Sequence, residues 1–331
     1  MVKRLILAIN PGSTSTKFSL FEEDNLVFEN TLRHSVGELS PFKKITEQFQ
    51  FRKELIMKDL HEHNVDFSRI KAVIGRGGLL KPIESGIYHV NQKMKDDLVS
   101  MKYGEHASNL GALIADDIAS SICGAIACIV DPVVVDEMQE IARLSGHPEI
   151  ERRSIFHALN QKAVARLYSA SVNSKYEDLN LIVAHMGGGV SIGAHKRGRI
   201  IDVNNALNGD GPFSPERSGG LPAGQLVDLC FSGKYTHAEI KSMLTGKGGM
   251  VAYLGTNSFI EANKLAEAGD QKARLVKKAM AYQIAKEIGA AAAVLNGRVH
   301  QNTGDCHITV PAKLQWFALQ NAWQLSLQEQ V

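Results

Sequence analysis

The sequence predicts an α/β protein built from two lobes of similar construction. Short apolar segments that indicate strands alternate with longer segments of helical character along most of the chain. The apolar strand and glycine-containing turn that open at Leu5 return at Leu181, and a third strand follows the hairpin in both places. A chain of 331 residues is also long enough for two domains. We therefore expect an N-terminal lobe of residues 1–170, a C-terminal lobe of residues 171–299 and a cleft.

The first lobe opens with an apolar run at residues 5–9, which indicates a buried strand because it is short and ends in a polar turn at 10–15. Residues 17–21 complete a hairpin, and residues 26–31 add a third strand. Helices are predicted at about 41–64, 93–101 and 107–123, and further strands at 70–74 and 125–130. The strand at 70–74 ends in the glycine-rich segment 75–78, where we expect the backbone to approach a ligand.

The second lobe follows a related plan. A helix-rich stretch at 150–169 precedes the repeated hairpin, and a third strand is predicted at 200–204. A long helix is predicted from about 270 to 295, with Asp270 as its N-cap and Gly297 beyond its end. Its apolar positions are Leu275, Met280, Ile284 and Ile288. Residues 300–331 are rich in Gln and Asn and predict at best one poorly defined helix.

Composition excludes several classes of protein. The 37 basic and 35 acidic residues are interspersed, so no nucleic-acid partner is expected. The apolar stretch 114–135 is interrupted by Asp116, Asp117 and Asp131, which disfavours a membrane span, and the opening apolar run is too short for a signal peptide. The 4 cysteines are too irregularly spaced for a disulfide framework. We expect a cytoplasmic protein without a membrane partner.

The opening turn has the groups that phosphate binding requires. Residues 10–17 read NPGSTSTK and bring an amide, hydroxyls, exposed backbone N–H groups and one cation into a single turn. An ordinary Gly/Ser-rich hairpin is the alternative. The Walker A pattern does not occur in the sequence, and the opening glycine leads into a strand rather than the helix of a dinucleotide fingerprint. The sequence therefore supports neither a P-loop fold nor NAD binding.

The second turn, residues 185–191 (HMGGGVS), contains three adjacent glycines, whose entropic cost indicates a need for close backbone approach. A tight hairpin is again the alternative. Because both turns occupy the same place in a repeated lobe, a two-sided phosphate clamp is the better hypothesis. Such a clamp is the arrangement of actin-like proteins.

Six segments in order resemble the butyrate kinases of the acetokinase family, which also contains acetate and propionate kinases. They are residues 10–17 (NPGSTSTK), 75–82 (GRGGLLKP), 131–133 (DPV), 153–157 (RSIFH), 185–189 (HMGGG) and 211–219 (GPFSPERSG). The resemblance covers about residues 1–299. It implies a two-lobed actin-like (ribonuclease H-like) ATPase fold with a central nucleotide cleft. The implied reaction is ATP-dependent phosphorylation of butyrate, or a related short or branched-chain fatty acid, with Mg²⁺ and in a homodimer or larger homo-oligomer.

The resemblance also implies roles for individual residues. Arg76 and Arg217 would bind the carboxylate and the transferring phosphoryl group, since a guanidinium suits planar, charged oxygen groups, although surface ion pairs are the alternative. His157 would donate to the γ-phosphoryl oxygens. Asp131 would act near the metal or the acyl group, and we expect Asn10 and Asp131 to contact Mg²⁺. The nucleotide-binding residues are expected to be Asn10, Gly12, Ser13, Ser15, Lys17, His185, Gly187, Gly188 and Gly189.

Two assignments are left open by the residues themselves. Lys17 could equally be a solvated strand lysine, and His106 with Asn109 could pack the following helix rather than serve the site.

Two features favour the butyrate branch of the family. They are Gly188, where acetate kinases carry Asn, and the segment 75–82.

The C-terminal segment departs from the family pattern. Family members follow the long helix with a strand, a Thr-Gly-Gly turn beneath adenosine and a Pro-Gly-Glu-Asp-Glu segment, whereas Thr303-Gly304-Asp305 is the only trace here. We therefore expect an incomplete C-terminal lobe and an atypical tail at 300–331, which resembles the product of a frameshift or a replaced C-terminus. The alternative function is a catalytically impaired chain that at most binds nucleotide or dimerises.

Overall fold

The computed structural model describes residues 3–23, 25–298 and 308–309. Its contacts divide the chain into two compact units, Met1–Val135 and Asp136–Val331. The lobe boundary predicted between residues 170 and 171 falls inside the second unit, because the helix Ala158–Ser171 packs on the strand Asn180–Met186 of that unit. Among the described residues, no helix is both long and apolar enough to cross a membrane.

The first unit contains a six-stranded mixed sheet. Its strands are β1 (Leu5–Pro11), β2 (Ser15–Glu22), β3 (Asn25–Arg33), β4 (Ile70–Arg76), β5 (Ile87–His89) and β6 (Ile126–Val130). Their order across the sheet is β3-β2-β1-β4-β6-β5. β1, β4 and β6 are parallel, whereas β2, β3 and β5 run antiparallel to their neighbours. The carboxyl ends of β1, β4 and β6 therefore lie at one edge of the sheet, where open α/β sheets carry their ligands.

The helices of the first unit pack around this sheet. They are α1 (Val36–Leu39), α2 (Phe49–Glu62), α3 (Gln92–Val99) and α4 (Asn109–Ser120), with 3₁₀ turns at Ile45–Gln48 and Phe67–Arg69. Nine of the twelve residues of α4 are buried, because the helix packs on β4 and β6 and also contacts α2 and α3. The other three, Asp116, Asp117 and Ser120, form a narrow polar face.

The second unit repeats the first four strands. Its sheet contains β7 (Asn180–Met186), β8 (Val190–Lys196), β9 (Arg199–Val203) and β10 (Ile308–Thr309), in the order β10-β7-β8-β9. β7, β8 and β9 are antiparallel, and β10 lies parallel to β7 as β4 lies parallel to β1. The duplication predicted from the sequence is thus present in the strand order. Apart from β10, the predicted tail, including Thr303-Gly304-Asp305 and any helix there, lies outside the described residues.

Seven helices are described in the second unit. They are α5 (Glu140–Arg143), α6 (Ala158–Ser171), α7 (Ala223–Cys230), α8 (His237–Leu244), α9 (Met250–Leu254), α10 (Phe259–Glu267) and α11 (Gln271–Val294), with a 3₁₀ turn at Tyr176–Asp178. Asp270 caps α11 as predicted, since its carboxylate accepts from the Ala273 N–H at 3.0 Å. Met280 and Ile284 are buried against the sheet, but Leu275 is 67% exposed and its predicted place in the apolar face is wrong.

Candidate active site

Three predicted site residues of the first unit share one edge of its sheet. Asn10 lies near the end of β1, Arg76 ends β4 and Asp131 directly follows β6. The Arg76 guanidinium donates from Nη1 to Oδ1 of Asn10 at 3.2 Å. Burial lowers the pKa of Arg76 from its ordinary value. The parallel pairing of β1, β4 and β6 therefore places an amide, a guanidinium and a carboxylate at adjacent strand ends.

Asp131 is 1% exposed and is held in place by the segment that leads into β5. Its Oδ1 accepts from the Ser85 hydroxyl at 2.6 Å and from the Gly86 N–H at 2.9 Å, while its own N–H donates to the Gly86 carbonyl at 3.0 Å. Its φ of +38° is unusual for a residue with a side chain. These bonds fix the direction of the carboxylate, and Ser85 is a contributor that sequence reasoning missed.

The glycines of the segment 75–78 allow close packing within the first unit. A Cβ on Gly75 would lie 2.2 Å from the Gly111 carbonyl oxygen, and one on Gly78 would lie 2.5 Å from the Cα of Asn109. Both contacts are with the first turn of α4. The backbone that these two glycines approach thus belongs to the protein itself, which corrects the expectation that they make room for a ligand.

Asn109 and His106 belong to the same packing region. The Asn109 Oδ1 accepts from the Leu79 N–H at 2.8 Å, and its Nδ2 donates to the Gly104 carbonyl at 2.9 Å. The His106 Nδ1 lies 2.8 Å from the Ser108 hydroxyl. Both ends of the Asn109 amide therefore hold the start of α4 in place, in line with the packing alternative.

The loop between β1 and β2 is held by a buried arginine. A hydrogen bond from the Gly12 N–H to the Ser15 carbonyl closes the loop at 2.7 Å. Arg52, whose side chain comes from α2 and is fully buried, donates to the carbonyls of Gly12, Ser13 and Ser15 at 2.7, 3.2 and 3.0 Å. It also donates to the Thr16 hydroxyl at 3.0 Å. Because Arg52 donates to these carbonyls from the protein interior, it holds the loop in this conformation.

Arg52 meets only neutral acceptors among its hydrogen-bond partners in the described residues, the remaining one being Gln48 Oε1 at 2.8 and 3.0 Å. Burial lowers the pKa of Arg52 to about 10, so it stays charged near neutrality. His34 lies beside it, with Nε2 2.9 Å from the Thr16 hydroxyl, and burial together with the Arg52 charge lowers the pKa of His34. Arg52 and His34 were not predicted as site residues, because a single Arg in a helical pattern resembles any solvated one.

Lys17 lies on β2 with an exposed side chain, and its Nζ is 2.9 Å from Oε1 of Glu29 on β3. The ion pair is solvated on both sides, with 46% and 42% of the two side chains exposed. This geometry matches the solvated alternative, and a phosphate contact by Lys17 stays a prediction.

The turn between β7 and β8 packs directly on Arg217. The Gly187 N–H donates to the Gly189 carbonyl at 3.0 Å. A Cβ on Gly189 would lie 2.0 Å from Nη1 of Arg217, whereas the nearest atom to a Cβ on Gly188 would be Glu216 Oε2 at 3.4 Å. Gly189 therefore provides the space in which the Arg217 guanidinium lies, as the sequence analysis expected of a glycine that permits close approach.

His157 and His185 form a stacked pair beside this turn. Their ring centroids are 3.8 Å apart at an interplanar angle of 15°. His157 occupies the N-cap position of α6, and its Nδ1 lies 2.9 Å from the Ser191 hydroxyl on β8. The His185 Nδ1, near the end of β7, lies 2.8 Å from Asn160 Oδ1. The second unit thus brings together all of its predicted residues, namely His157, His185, Gly187, Gly188, Gly189 and Arg217.

A buried cation and a buried histidine also pack behind the β7–β8 hairpin. Lys162 Nζ donates to Glu137 Oε2 at 2.7 Å and to the Gly198 carbonyl at 2.8 Å. His195 has no exposed surface, and burial together with the Lys162 charge lowers the pKa of His195 to about 3. His195 is therefore neutral at physiological pH. No motif identified these residues, since each occurs alone in the sequence.

Within the described residues, no three His, Cys, Asp or Glu side chains are grouped closely enough to hold a metal ion. The predicted contacts, Asn10 and Asp131, supply an amide oxygen and a carboxylate. Mg²⁺ prefers oxygen ligands and is often bound through one or two carboxylates together with substrate phosphates. This donor set fits an ion that arrives with a nucleotide.

Comparison with known proteins decides the family. The profile of the acetokinase family matches residues 147–303. Butyrate kinase 2 of Clostridium acetobutylicum is 60% identical over 298 residues, which cover 90% of this chain and 83% of that protein. The chain belongs to the acetokinase family. As a member of this family and a homologue of butyrate kinase, it is a carboxylate kinase.

Solved structures of acetokinase-family proteins have the same fold. The acetate kinase of Porphyromonas gingivalis superposes with a TM-score of 0.68 at 20% identity, over 88% of this chain and 80% of that one. The propionate kinase of Francisella tularensis gives a TM-score of 0.67 at 19% identity, over 88% and 81% of the two chains. These likenesses confirm the predicted two-lobed, actin-like α/β fold.

Proposed function

We propose that this acetokinase-family chain transfers the γ-phosphoryl group of ATP to the carboxylate of butyrate, forming butanoyl phosphate and ADP. The observation that carries the proposal is the 60% identity with a butyrate kinase over 90% of the chain. Related short or branched-chain acids belong to the same proposal. The 60% identity does not favour the alternative of an impaired remnant.

Phosphoryl transfer to a carboxylate depends mainly on positioning and charge neutralisation. The carboxylate is already ionised near neutral pH, so the nucleophile needs no strong general base. In the second unit, the Gly187–Gly189 turn would bind phosphate oxygens through its backbone, and Arg217 would neutralise developing charge. The support for this role is the packing of the Arg217 guanidinium on Gly189. His157 would donate to phosphate oxygens, and His185 would contact phosphate beside the same turn.

The first unit would supply a second set of groups. Arg76 would bind the acyl carboxylate, and the loop of Gly12, Ser13 and Ser15 would bind phosphate. Asn10 and Asp131 would hold Mg²⁺, which would supply neutralisation of the phosphate charge. The support for this assignment is the shared sheet edge and the contact between Arg76 and Asn10. Thr303-Gly304-Asp305, the only trace of the family's adenosine turn, lies outside the described part of the chain.

Trapping of the acyl phosphate with hydroxylamine tests the proposal. Purified protein with butyrate and MgATP is expected to form the hydroxamate, and acetate and isobutyrate report the range of acids. Arg217→Ala is expected to lower kcat/KM by about 100-fold or more, because an uncompensated transition-state charge is left. Arg274→Ala serves as the control, since Arg274 is an exposed residue of α11 that donates to the Ala266 carbonyl.

Absence of product with well-folded protein, or full activity of Arg217→Ala, would contradict this function. Calorimetric titration with ATP separates a chain that binds nucleotide without turnover from one that does neither. A homodimer or larger assembly and a cytoplasmic location remain predictions, and light scattering after gel filtration checks the assembly.

A further inference from the structure

A continuous line of hydrogen bonds leads from the interior of the second unit to His157. The Tyr176 hydroxyl lies 2.6 Å from His195 Nδ1, and His195 Nε2 lies 3.0 Å from Gln161 Oε1. The Gln161 Nε2 lies 2.9 Å from the Ser191 hydroxyl, which is 2.9 Å from His157 Nδ1. His195, Gln161 and Ser191 have no exposed surface, and Tyr176 is 4% exposed. Buried polar groups of this kind are satisfied only by one consistent arrangement of protons.

The orientation of the Gln161 amide is set by a backbone group. One end of the amide lies 3.0 Å from the Ser191 main-chain carbonyl oxygen, which can only accept a hydrogen bond. That end must therefore be the donating Nε2. The other end, which faces His195, must be the accepting Oε1.

The proton position on His195 follows from this orientation. Because Gln161 Oε1 accepts, His195 Nε2 carries the hydrogen and donates it. A neutral ring has only one such hydrogen, so Nδ1 is an acceptor for the Tyr176 hydroxyl. Burial and the nearby Lys162 charge, which lower the pKa of His195 to about 3, are consistent with this neutral form.

Ser191 transmits the arrangement to His157. Its Oγ accepts from Gln161 Nε2, and the His157 main-chain N–H points to the same oxygen at 3.5 Å. Among its partners in the described residues, only His157 Nδ1 can accept the Ser191 hydroxyl hydrogen. The opposite arrangement, with the hydrogen on His157 Nδ1, would leave a buried hydroxyl donor without an acceptor there.

We propose that Tyr176, His195, Gln161 and Ser191 are positioning residues that hold neutral His157 with its proton on Nε2. The ring then offers an N–H donor, rather than a lone pair, on its remaining nitrogen. A lone pair would repel an anionic phosphoryl oxygen, whereas the N–H attracts it. This inference rests on the role given to His157 in the proposed function, and it adds four residues to which that proposal assigns no part.

Nitrogen NMR of ¹⁵N-histidine-labelled protein at about pH 8, where neutral imidazole predominates, measures the tautomer directly. The His157 signals are assigned by their loss in a His157→Gln variant. We expect a protonated Nε2 and an unprotonated Nδ1 for His157. A protonated Nδ1 in the wild-type protein would overturn the inference without any further variant, and independently of whether the protein phosphorylates butyrate.

Ser191→Ala removes the donor to His157 Nδ1 while keeping the bond from Gln161 to the Ser191 main-chain carbonyl. We expect its His157 signals to shift towards a mixture of tautomers. We also expect kcat for acyl phosphate formation to fall by about tenfold, with the KM values for butyrate and ATP nearly unchanged, because only the transition state needs the donor. Ser191→Thr, which restores a hydroxyl, is expected to recover the wild-type tautomer.

Ser169→Ala is the matched control. Ser169 is also buried and lies on α6, but its hydroxyl donates to the Ala165 carbonyl of its own helix at 2.7 Å. Neither the His157 signals nor kcat should change in this variant. If Ser191→Ala keeps the wild-type His157 tautomer, the inference is wrong. If the tautomer shifts while kcat stays constant, the link to catalysis fails, and with it the role proposed for His157.

Discussion

The β1–β2 and β7–β8 hairpins occupy equivalent places in the strand orders of their sheets, but they are stabilised differently. Each packs against a buried cation and a buried histidine with a lowered pKa, Arg52 with His34 in the first unit and Lys162 with His195 in the second. Lys162 is paired with Glu137. Arg52 instead bonds neutral acceptors, three of which are carbonyls of the turn itself.

This difference separates two ways of shaping a phosphate-type turn. The first turn depends on a side chain that another element supplies, and removal of Arg52 would take away the donor to the Gly12 and Ser13 carbonyls. The second turn depends on the absence of a side chain, because Gly189 leaves room for Arg217. The first turn should therefore be sensitive to the loss of a side chain outside it, whereas the second turn should be sensitive to a methyl group added within it.

The largest effect is expected from Arg52→Met, which keeps an unbranched side chain but removes all donors. We expect the free energy of unfolding to fall by about 3 kcal/mol, since buried acceptors lose their partners. Urea unfolding measures the change. Arg69→Met is the control, because Arg69 forms a partly exposed pair with Glu22 and should lose less than about 1 kcal/mol. Similar losses in both variants would refute the special role of Arg52.

Gly189→Ala should affect activity more than stability. The added methyl group would displace the Arg217 guanidinium, the end of a flexible side chain, so we expect kcat/KM to fall by about 100-fold while the fold is retained. Gly188→Ala is the matched control within the same turn, because its nearest contact at 3.4 Å is an ordinary one. Hydroxamate formation and a thermal melt of both variants test this prediction. Equal activities of Gly189→Ala and Gly188→Ala would contradict it.

Acid should destabilise the second unit through His195. The residue is neutral in the folded protein with a pKa of about 3, whereas it titrates near 6.5 when unfolded. Between these two pH values, the unfolded state therefore binds more protons than the folded state. The contribution of His195 to stability is present above pH 6.5 and is lost as the pH falls. From about pH 7.5 to about pH 5.5, His195 should account for a loss of about 1 kcal/mol.

Urea unfolding at both pH values, for wild type and His195→Gln, isolates this contribution. The variant is less stable at every pH because it interrupts the hydrogen bonds, but its stability should depend less on pH. His34 is present in both proteins and acts in the same direction. An unchanged pH slope in the variant would show that His195 does not titrate in the expected way.

The smallest effect is expected from Gly12→Ala in the first turn. The nearest atom to its added Cβ would be the Ser15 carbonyl oxygen at 3.4 Å, and Gly12 does not lie in the left-handed region. We expect a stability change of less than about 0.5 kcal/mol and nearly unchanged kcat/KM. A loss as large as that of Gly189→Ala would mean that the two turns respond alike to an added side chain.

The sequence predicted best what depends on local pattern. The strands β1, β2, β7 and β8 follow from short apolar runs beside glycine turns, and the strand order of the first unit places Asn10, Arg76 and Asp131 at one edge. β5 was missed because three residues carry no periodic signal, and no helix was assigned to residues 223–267, where α7 to α10 lie.

Long-range contacts account for the other omissions. The segment 75–78 was found, but Gly75 and Gly78 closely approach α4, a fact that no spacing of glycines reveals. Arg52 and Gln161 resemble ordinary helix residues in the sequence, and only the packing of their helices brings them to Gly12 and Ser191. Leu275 fits the apolar spacing of α11, but no neighbouring element covers it, so periodicity alone gave the wrong burial.

The bonds from Arg52 to the first turn have a consequence for the order of folding. During synthesis, β1 and β2 emerge before α2, so their hairpin can pair while the carbonyls of Gly12 and Ser13 have only water as donors. The turn acquires its native shape when α2 docks and Arg52 reaches these oxygens. Detachment of α2 would release the turn while the β1–β2 ladder stayed paired, and hydrogen exchange would register the turn as less protected than the strands beside it.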